Sequence, residues 1–154
     1  MALAGKLDHK DYRVYAILGD GESEEGQVWE AAMFAAHYKL DNLTAFMDFN
    51  GLQIDGEVTK VMNPTPLDDK FEAFGWHIIR IDAHDFSQIE SAVEEAKSVK
   101  GKPTLVLAKS VKGKGVSFME NQAGWHGAAP NKEQYEQAIS ELDAYLNELG
   151  GAAK

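Results

Sequence analysis

Gly19-Asp20-Gly21 and Asn50-Gly51 are the positions whose residue types could do chemistry, with twenty-eight residues between Gly21 and Asn50. The Asp20 carboxylate, the Asn50 amide oxygen and a backbone carbonyl exposed by the Asn50-Gly51-Leu52 turn make about three hard oxygen donors. Magnesium takes about six oxygens at about 2.1 Å and usually completes them with water and substrate phosphates; calcium accepts the same donor types. A helix starting after Gly21 would offer free N–H groups to a phosphate, and a residue without a side chain lets the backbone come close to it. A metal-carried diphosphate satisfies all of these. The alternative is two ordinary turns that hold nothing.

The elements around these residues must place them together. Tyr12–Leu18 (YRVYAIL) is rich in β-formers and reads as a strand running into the Gly-Asp-Gly turn. Helical spacing follows in GESEEGQVWEAAMFAAHYK, and a second apolar run, Leu43–Phe49 (LTAFMDF), stops at Asn50-Gly51. A strand–helix–strand crossover makes the two strands parallel, so Asp20 and Asn50 open on the same edge of the sheet. In open α/β sheets that edge is where ligands bind.

The remaining elements follow in order. Ala2–Asp8 reads as the last turns of a helix with an apolar face of Leu3 and Leu7. The next helix is expected to begin near Glu24, with Ser23 as a possible cap and Glu22, Glu24 and Glu25 favoured by the helix dipole. Its core face is Val28, Ala32, Ala35 or Ala36, and Lys39-Leu40, flanked by Trp29 and Phe34. Gly51–Pro66 is turn-rich, with a β-like piece around Glu57–Val61; a connection of that length in a compact domain is usually functional or mobile. Pro66 opens a helix over Leu67–Phe74 that Gly75 ends. Trp76–Asp82 is a third strand, in which His77 has the spacing of a structural residue. Asp85-Phe86-Ser87-Gln88 starts a helix through Lys97 that turns Ile89, Ala92, Val93 and Ala96 inward. Pro103–Lys109 is the most uniformly apolar strand, as suits a central parallel one. A long loop, Ser110–Pro130, precedes a last helix from about Asn131, with a stripe from Tyr135 to Leu149 closed by Gly150-Gly151. The order predicts a single α/β domain over residues 1–154, doubly wound, with a mostly parallel sheet flanked by helices.

Composition narrows the class. The 154 residues carry a formal charge of −10, which argues against nucleic acid as a partner. No stretch approaches the length that spans a bilayer, and the beginning has neither signal-peptide nor transit-peptide character. There is no cysteine, so disulfides and thiolate metal sites are excluded, and a cytoplasmic protein is expected. Lys97, Lys100, Lys102, Lys109, Lys112 and Lys114 crowd one region. They form either a solvated loop or a basic rim beside a phosphorylated ligand.

The combination GDG…N resembles the thiamine diphosphate signature, and its surroundings narrow the likeness. GDGESEEGQVWEA, MDFNGLQIDG, FGWHIIRIDAHD, KPTLVLAKSVKGKGVSFMEN and WHG together resemble the N-terminal, diphosphate-binding domain of the transketolase family, from Tyr12 to about Leu146. The resemblance implies that Asp20, Asn50 and the Leu52 carbonyl hold Mg²⁺ or Ca²⁺. It implies that Gly19, Gly21, Glu22, Asn50 and His126 contact thiamine diphosphate, and that His126 also lies near the reacting substrate carbons. Glu25 and Glu30 match acidic residues at a subunit interface; otherwise they are a helix-end charge and a surface residue. His126 is otherwise a loop histidine beside a tryptophan, and Lys112 and Lys114 are undecided between cofactor contacts and loop shape.

The activity the resemblance implies is transfer of a two-carbon ketol unit between sugar phosphates, as in the pentose phosphate pathway. Its expected partner is a pyrimidine-binding domain or C-terminal transketolase subunit, which carries the glutamate that activates the cofactor ring, and a homo-oligomer is expected. In the family an upstream segment supplies histidines to the substrate channel; here only His126 sits in a matching motif, so Met1 is expected to fall inside the family domain. The alternatives are a related thiamine enzyme, such as dihydroxyacetone synthase or deoxyxylulose-phosphate synthase, and a non-catalytic diphosphate-binding or docking module.

Overall fold

Four strands form one parallel sheet in the computed structural model, which describes residues 1–152. They are β1 (Val14–Gly19), β2 (Leu43–Phe49), β5 (His77–Asp82) and β6 (Thr104–Lys109), in the spatial order β1-β2-β6-β5. The two interior strands, β2 and β6, are the ones with successive buried residues, because both of their faces are covered, whereas the edge strand β1 has none fully buried. Two short strands, β3 (Leu52–Gln53) and β4 (Gly56–Glu57), make a separate antiparallel hairpin just after β2.

Side-chain alternation sorts the core into two layers. On one face α1 (Ala2–Leu7), α2 (Gly26–His37) and α4 (Leu67–Ala73) bury Ala2, Ala32, Ala35, Leu67 and Phe71 against Ala45, Met47 and Leu105. Phe71 is the anchor, edge-on to Trp76 at 5.3 Å and tilted against Trp29 at 5.3 Å. The small residues of α2 let it lie close to the sheet, and the Trp76 indole donates to the Ala32 carbonyl at 2.9 Å. On the other face α5 (Phe86–Ser98) seats Ala92 and Ala96 over Ile79, Ile81, Val106 and Ala108. The Asp85 carboxylate caps α5 by accepting from the Ser87 and Gln88 N–H groups.

Several local expectations are corrected. A four-residue 3₁₀ turn, Gly21–Glu24, precedes α2, so the helix proper starts at Gly26. Ser23 does not cap it; its hydroxyl donates to the Asp20 carbonyl at 2.5 Å and tightens that turn instead. Val58–Val61 is a short helix, α3, rather than a strand. The Val58 N–H folds back to the Gly51 carbonyl, which closes the hairpin and leaves no partner strand for the β-formers that follow. In α1 the buried residues are Ala2 and Gly5, and Leu7 is exposed. The last helix, α6 (Lys132–Ala152), is opened by mutual Asn131–Gln134 hydrogen bonds of 2.9 Å and runs through Gly150-Gly151. Its stripe meets the body mainly at Ala138, leaving Tyr135, Leu142, Tyr145 and Leu149 in the open.

Candidate functional site

The β1–β2 register pairs Gly19 with Asp48, which sets Asp20 and Asn50 side by side just past adjacent strand ends. Asp20 is only 1% exposed. Its Oδ1 accepts from the Gly21 N–H at 2.8 Å and its Oδ2 from the Gly51 N–H, so the two turns are stitched together by one carboxylate. Burial pushes the Asp20 pKa up; the Gly51 and Gly21 N–H groups oppose this, the Asp48 charge adds to it, and Lys109 subtracts. Asn50 accepts from the Leu52 N–H at 2.8 Å and donates from Nδ2 to Asp48 at 3.1 Å. That turn needs Gly51, whose φ of +78° strains any side chain.

These residues line a cleft of about 490 Å³ together with Gly19, Gly21, Glu22, Glu24, Glu25, Asp48, Leu52, Gln53, Ile54, Lys112 and His126. The sequence-derived positions therefore converge, with one exception: Glu30 lies exposed on α2 outside the cleft. Glu25 sits at the N-cap of α2 and does reach the lining. Glu22 accepts from the Gly19 N–H at 2.7 Å, so these two brace the turn locally. Gly21 is demanded from the protein side, since a Cβ there would lie 2.9 Å from the Cβ of Gln53 in the hairpin. Gln53 in turn donates to Glu24 at 2.8 Å, which holds the hairpin against the 3₁₀ turn.

The long loop after β6 folds back to supply His126 and Lys112 from the far side. Trp125 anchors it, its indole donating to the Phe118 carbonyl at 3.1 Å and its ring edge-on to Phe118 at 5.4 Å. His126 follows the 3₁₀ turn Ala123–Trp125 and faces the cleft while remaining exposed. The two undecided lysines separate here. Lys112 lines the cleft, whereas Lys114 turns away to Glu120 at 3.6 Å.

The lining is rich in carboxylates, with Asp20, Glu22, Glu24, Glu25 and Asp48 facing Lys112. Among the described residues no cluster of three or more His, Cys, Asp or Glu forms a self-sufficient metal cage. A buried carboxylate, an amide oxygen and excess negative charge instead fit a hard cation that brings its own anionic ligand. Also among the described residues, no helix is long and apolar enough to cross a membrane.

The family model described as transketolase, thiamine diphosphate binding domain, matches residues 4–145. The chain belongs to this family. It is 48% identical over 143 residues to a 6-deoxy-6-sulfo-D-fructose transketolase subunit of Clostridium sp., covering 93% of this chain and 52% of that protein. It is 41% identical over 149 residues to an apulose-4-phosphate transketolase subunit of Phocaeicola vulgatus, covering 97% and 53%. Against a crystal structure of transketolase from Campylobacter jejuni the TM-score is 0.82 at 34% identity, covering 91% of this chain and 22% of that one. The chain spans about half the length of the two subunit relatives.

The doubly wound α/β fold is thus that of the transketolases, as the element order predicts. Among the residues lining the cleft of this transketolase domain, the sequence reading did not single out Glu24, Asp48, Gln53 or Ile54. Only Asp48 carried a signal. It stands two residues before Asn50, and the two-residue period of a strand turns both side chains to one face.

Proposed function

We propose that the chain is the diphosphate-binding part of a transketolase and holds thiamine diphosphate through Mg²⁺ or Ca²⁺. The observation that carries this reading is the meeting of Asp20 and Asn50 on adjacent parallel strand ends, in an acidic cleft closed by Lys112 and His126. Asp20, Asn50 and the Leu52 carbonyl are the metal ligands. Gly19, Gly21 and Glu22 shape the turn that faces the diphosphate. His126 supplies a polar group where the diphosphate and the substrate carbons meet, and Lys112 offsets anionic charge. Bound thiamine diphosphate supplies the carbon–carbon bond chemistry, and the protein supplies binding, orientation and electrostatics. The reaction served is movement of a two-carbon ketol unit from a ketose phosphate to an aldose phosphate, in a cytoplasmic setting that the cysteine-free composition suits.

The partner is a C-terminal subunit or pyrimidine-binding domain. Two relatives that are themselves named as subunits support this reading. Glu25 and Glu30 belong to the interface, as their exposure on α2 and at its cap allows. A non-catalytic diphosphate-binding or docking module is not favoured, because the family model and the named relatives are those of transketolases and transketolase subunits. Titration calorimetry tests the reading. Thiamine diphosphate should bind the chain when Mg²⁺ is present and should lose that binding in chelator; equal affinity in both conditions would remove the metal from the account.

Self-association accompanies this reading. Ile17 is 80% exposed and Tyr15 47% exposed on β1, an edge strand without a charged residue. Leu7 and Phe34 add apolar surface, whereas Leu3 and Trp29 are partly packed into the core. The isolated chain is expected to sediment as a dimer or larger species, with Ile17→Lys shifting it towards monomer. A strictly monomeric wild-type chain across micromolar concentrations would contradict this.

A further inference from the structure

Asp48 takes no part in the metal reading, yet it touches the residue on which that reading depends. It is the sixth residue of β2, paired with Gly19 of β1 on one side and Ala108 of β6 on the other. Its Oδ2 accepts from Asn50 Nδ2 at 3.1 Å, and its Oδ1 accepts from the Ser110 hydroxyl. Ser110 is the first residue after β6, and its own N–H donates to the Phe49 carbonyl at 3.3 Å. Both carboxylate oxygens of Asp48 are thus held by donors, one on the metal-ligand turn and one at the root of the loop that carries Lys112 and His126.

The chemistry of the contact determines how the Asn50 amide lies. An ionised carboxylate only accepts, so the side of the amide facing Asp48 must be the NH₂ group. The Leu52 N–H only donates, so the group facing it must be Oδ1, as its 2.8 Å bond shows. A carbonyl oxygen has two lone pairs; one is used by Leu52, and the other is left for a cation. An Asn amide without such constraints can turn over and present two N–H hydrogens, which repel a cation.

We propose that Asp48 is a positioning residue of the metal site. Anchored by Ser110, its carboxylate locks the Asn50 amide so that Oδ1 is the atom presented to the cation. It also ties that ligand to the loop bearing Lys112 and His126. The proposal rests on the reading of Asp20 and Asn50 as metal ligands. Outer partners of this type commonly change metal affinity by about 10–100-fold when lost.

The test compares Asp48→Ala, Asp48→Asn, Ser110→Ala and Asp20→Ala with the wild-type chain, using two measurements. Titration calorimetry reads affinity for thiamine diphosphate with Mg²⁺. Nuclear magnetic resonance of the Asn50 side-chain NH₂ in metal-free protein reads its hydrogen exchange and chemical shift. Asp48→Ala should weaken metal-dependent binding by about 10–100-fold and should speed exchange of the Asn50 NH₂ before any metal is added. Asp48→Asn, nearly isosteric and still able to meet Ser110, should fall between that variant and wild type on both measurements. Ser110→Ala should have the smallest effect, because the carboxylate still reaches Asn50. Unchanged Asn50 NH₂ signals in Asp48→Ala would overturn the proposal, as would an affinity within twofold of wild type. So would an Asp48→Ala loss equal to that of Asp20→Ala with the amide signals unmoved, which is the pattern of a direct ligand. Failure of the underlying metal reading looks different. In that case the wild-type chain itself shows no dependence on Mg²⁺, and Asp20→Ala changes nothing.

Discussion

Asp20→Ala is expected to abolish Mg²⁺-dependent binding of thiamine diphosphate, a loss of more than about a hundredfold and beyond the range usual for outer-sphere partners. Three effects add. The substitution deletes the carboxylate ligand, removes the charge that a divalent ion neutralises, and leaves the Gly21 and Gly51 N–H groups without their shared acceptor. Each unsatisfied buried donor costs about 1–3 kcal/mol, so the turns that shape the cleft should loosen as well. Part of that cost is offset, because burial already disfavours the ionised form of Asp20. Stability of the metal-free chain should therefore change less than affinity does. Calorimetry for binding and circular dichroism melts for folding separate the two. Metal-independent binding of equal strength in the variant would sink the ligand assignment.

The second large effect is on turnover. The 154 residues by themselves are expected to show no measurable ketol transfer, even when saturated with thiamine diphosphate and Mg²⁺. Ketol transfer needs a metal-anchored diphosphate, an activated cofactor ring and polar groups around the sugar. In the reading proposed above, the cleft would supply the first through Asp20 and Asn50, and part of the third through His126 and Lys112, all of which line it. The resemblance assigns the ring-activating glutamate to a pyrimidine-binding domain outside these residues. General acid–base assistance alone is worth about 10²–10⁴-fold, and lost orientation can cost about 10⁵-fold or more. The assay uses a ketose phosphate donor, an aldose phosphate acceptor and product detection over hours. Activity should appear when a pyrimidine-binding partner is added; robust turnover without it would mean that the catalytic groups lie within this chain.

What could be read along the chain is what short-range chemistry dictates. Leu43–Phe49 and its stop at Asn50-Gly51 are legible because an apolar run and a turn pair are local signals, and the structure has β2 over those residues. The Asp85 cap is legible because its acceptors and donors lie within three residues. Parallel pairing followed from the helix between two strands, so the convergence of Asp20 and Asn50 could be derived without coordinates. Where competing local signals exist, local reading failed. Val58–Val61 has β-forming side chains, but the fold-back to Gly51 removes any partner strand. Gly150-Gly151 has the composition of a stop, yet α6 continues to Ala152.

The tertiary structure decided everything that depends on which residues meet across long separations. Nothing near Lys112 or Lys114 in sequence distinguishes them; the path of the loop sends one to the cleft and the other to Glu120. Gly21 looked like a concession to a ligand, and the hairpin residue Gln53 shows that packing alone requires it. Asp48 stays exposed at the end of its strand, and only the fold brings Ser110, sixty-two residues later, onto its carboxylate. A carboxylate's ability to accept hydrogen bonds is written in its residue type. Which donors arrive, and therefore what the carboxylate holds in place, is settled only when strands distant in sequence become neighbours in the sheet.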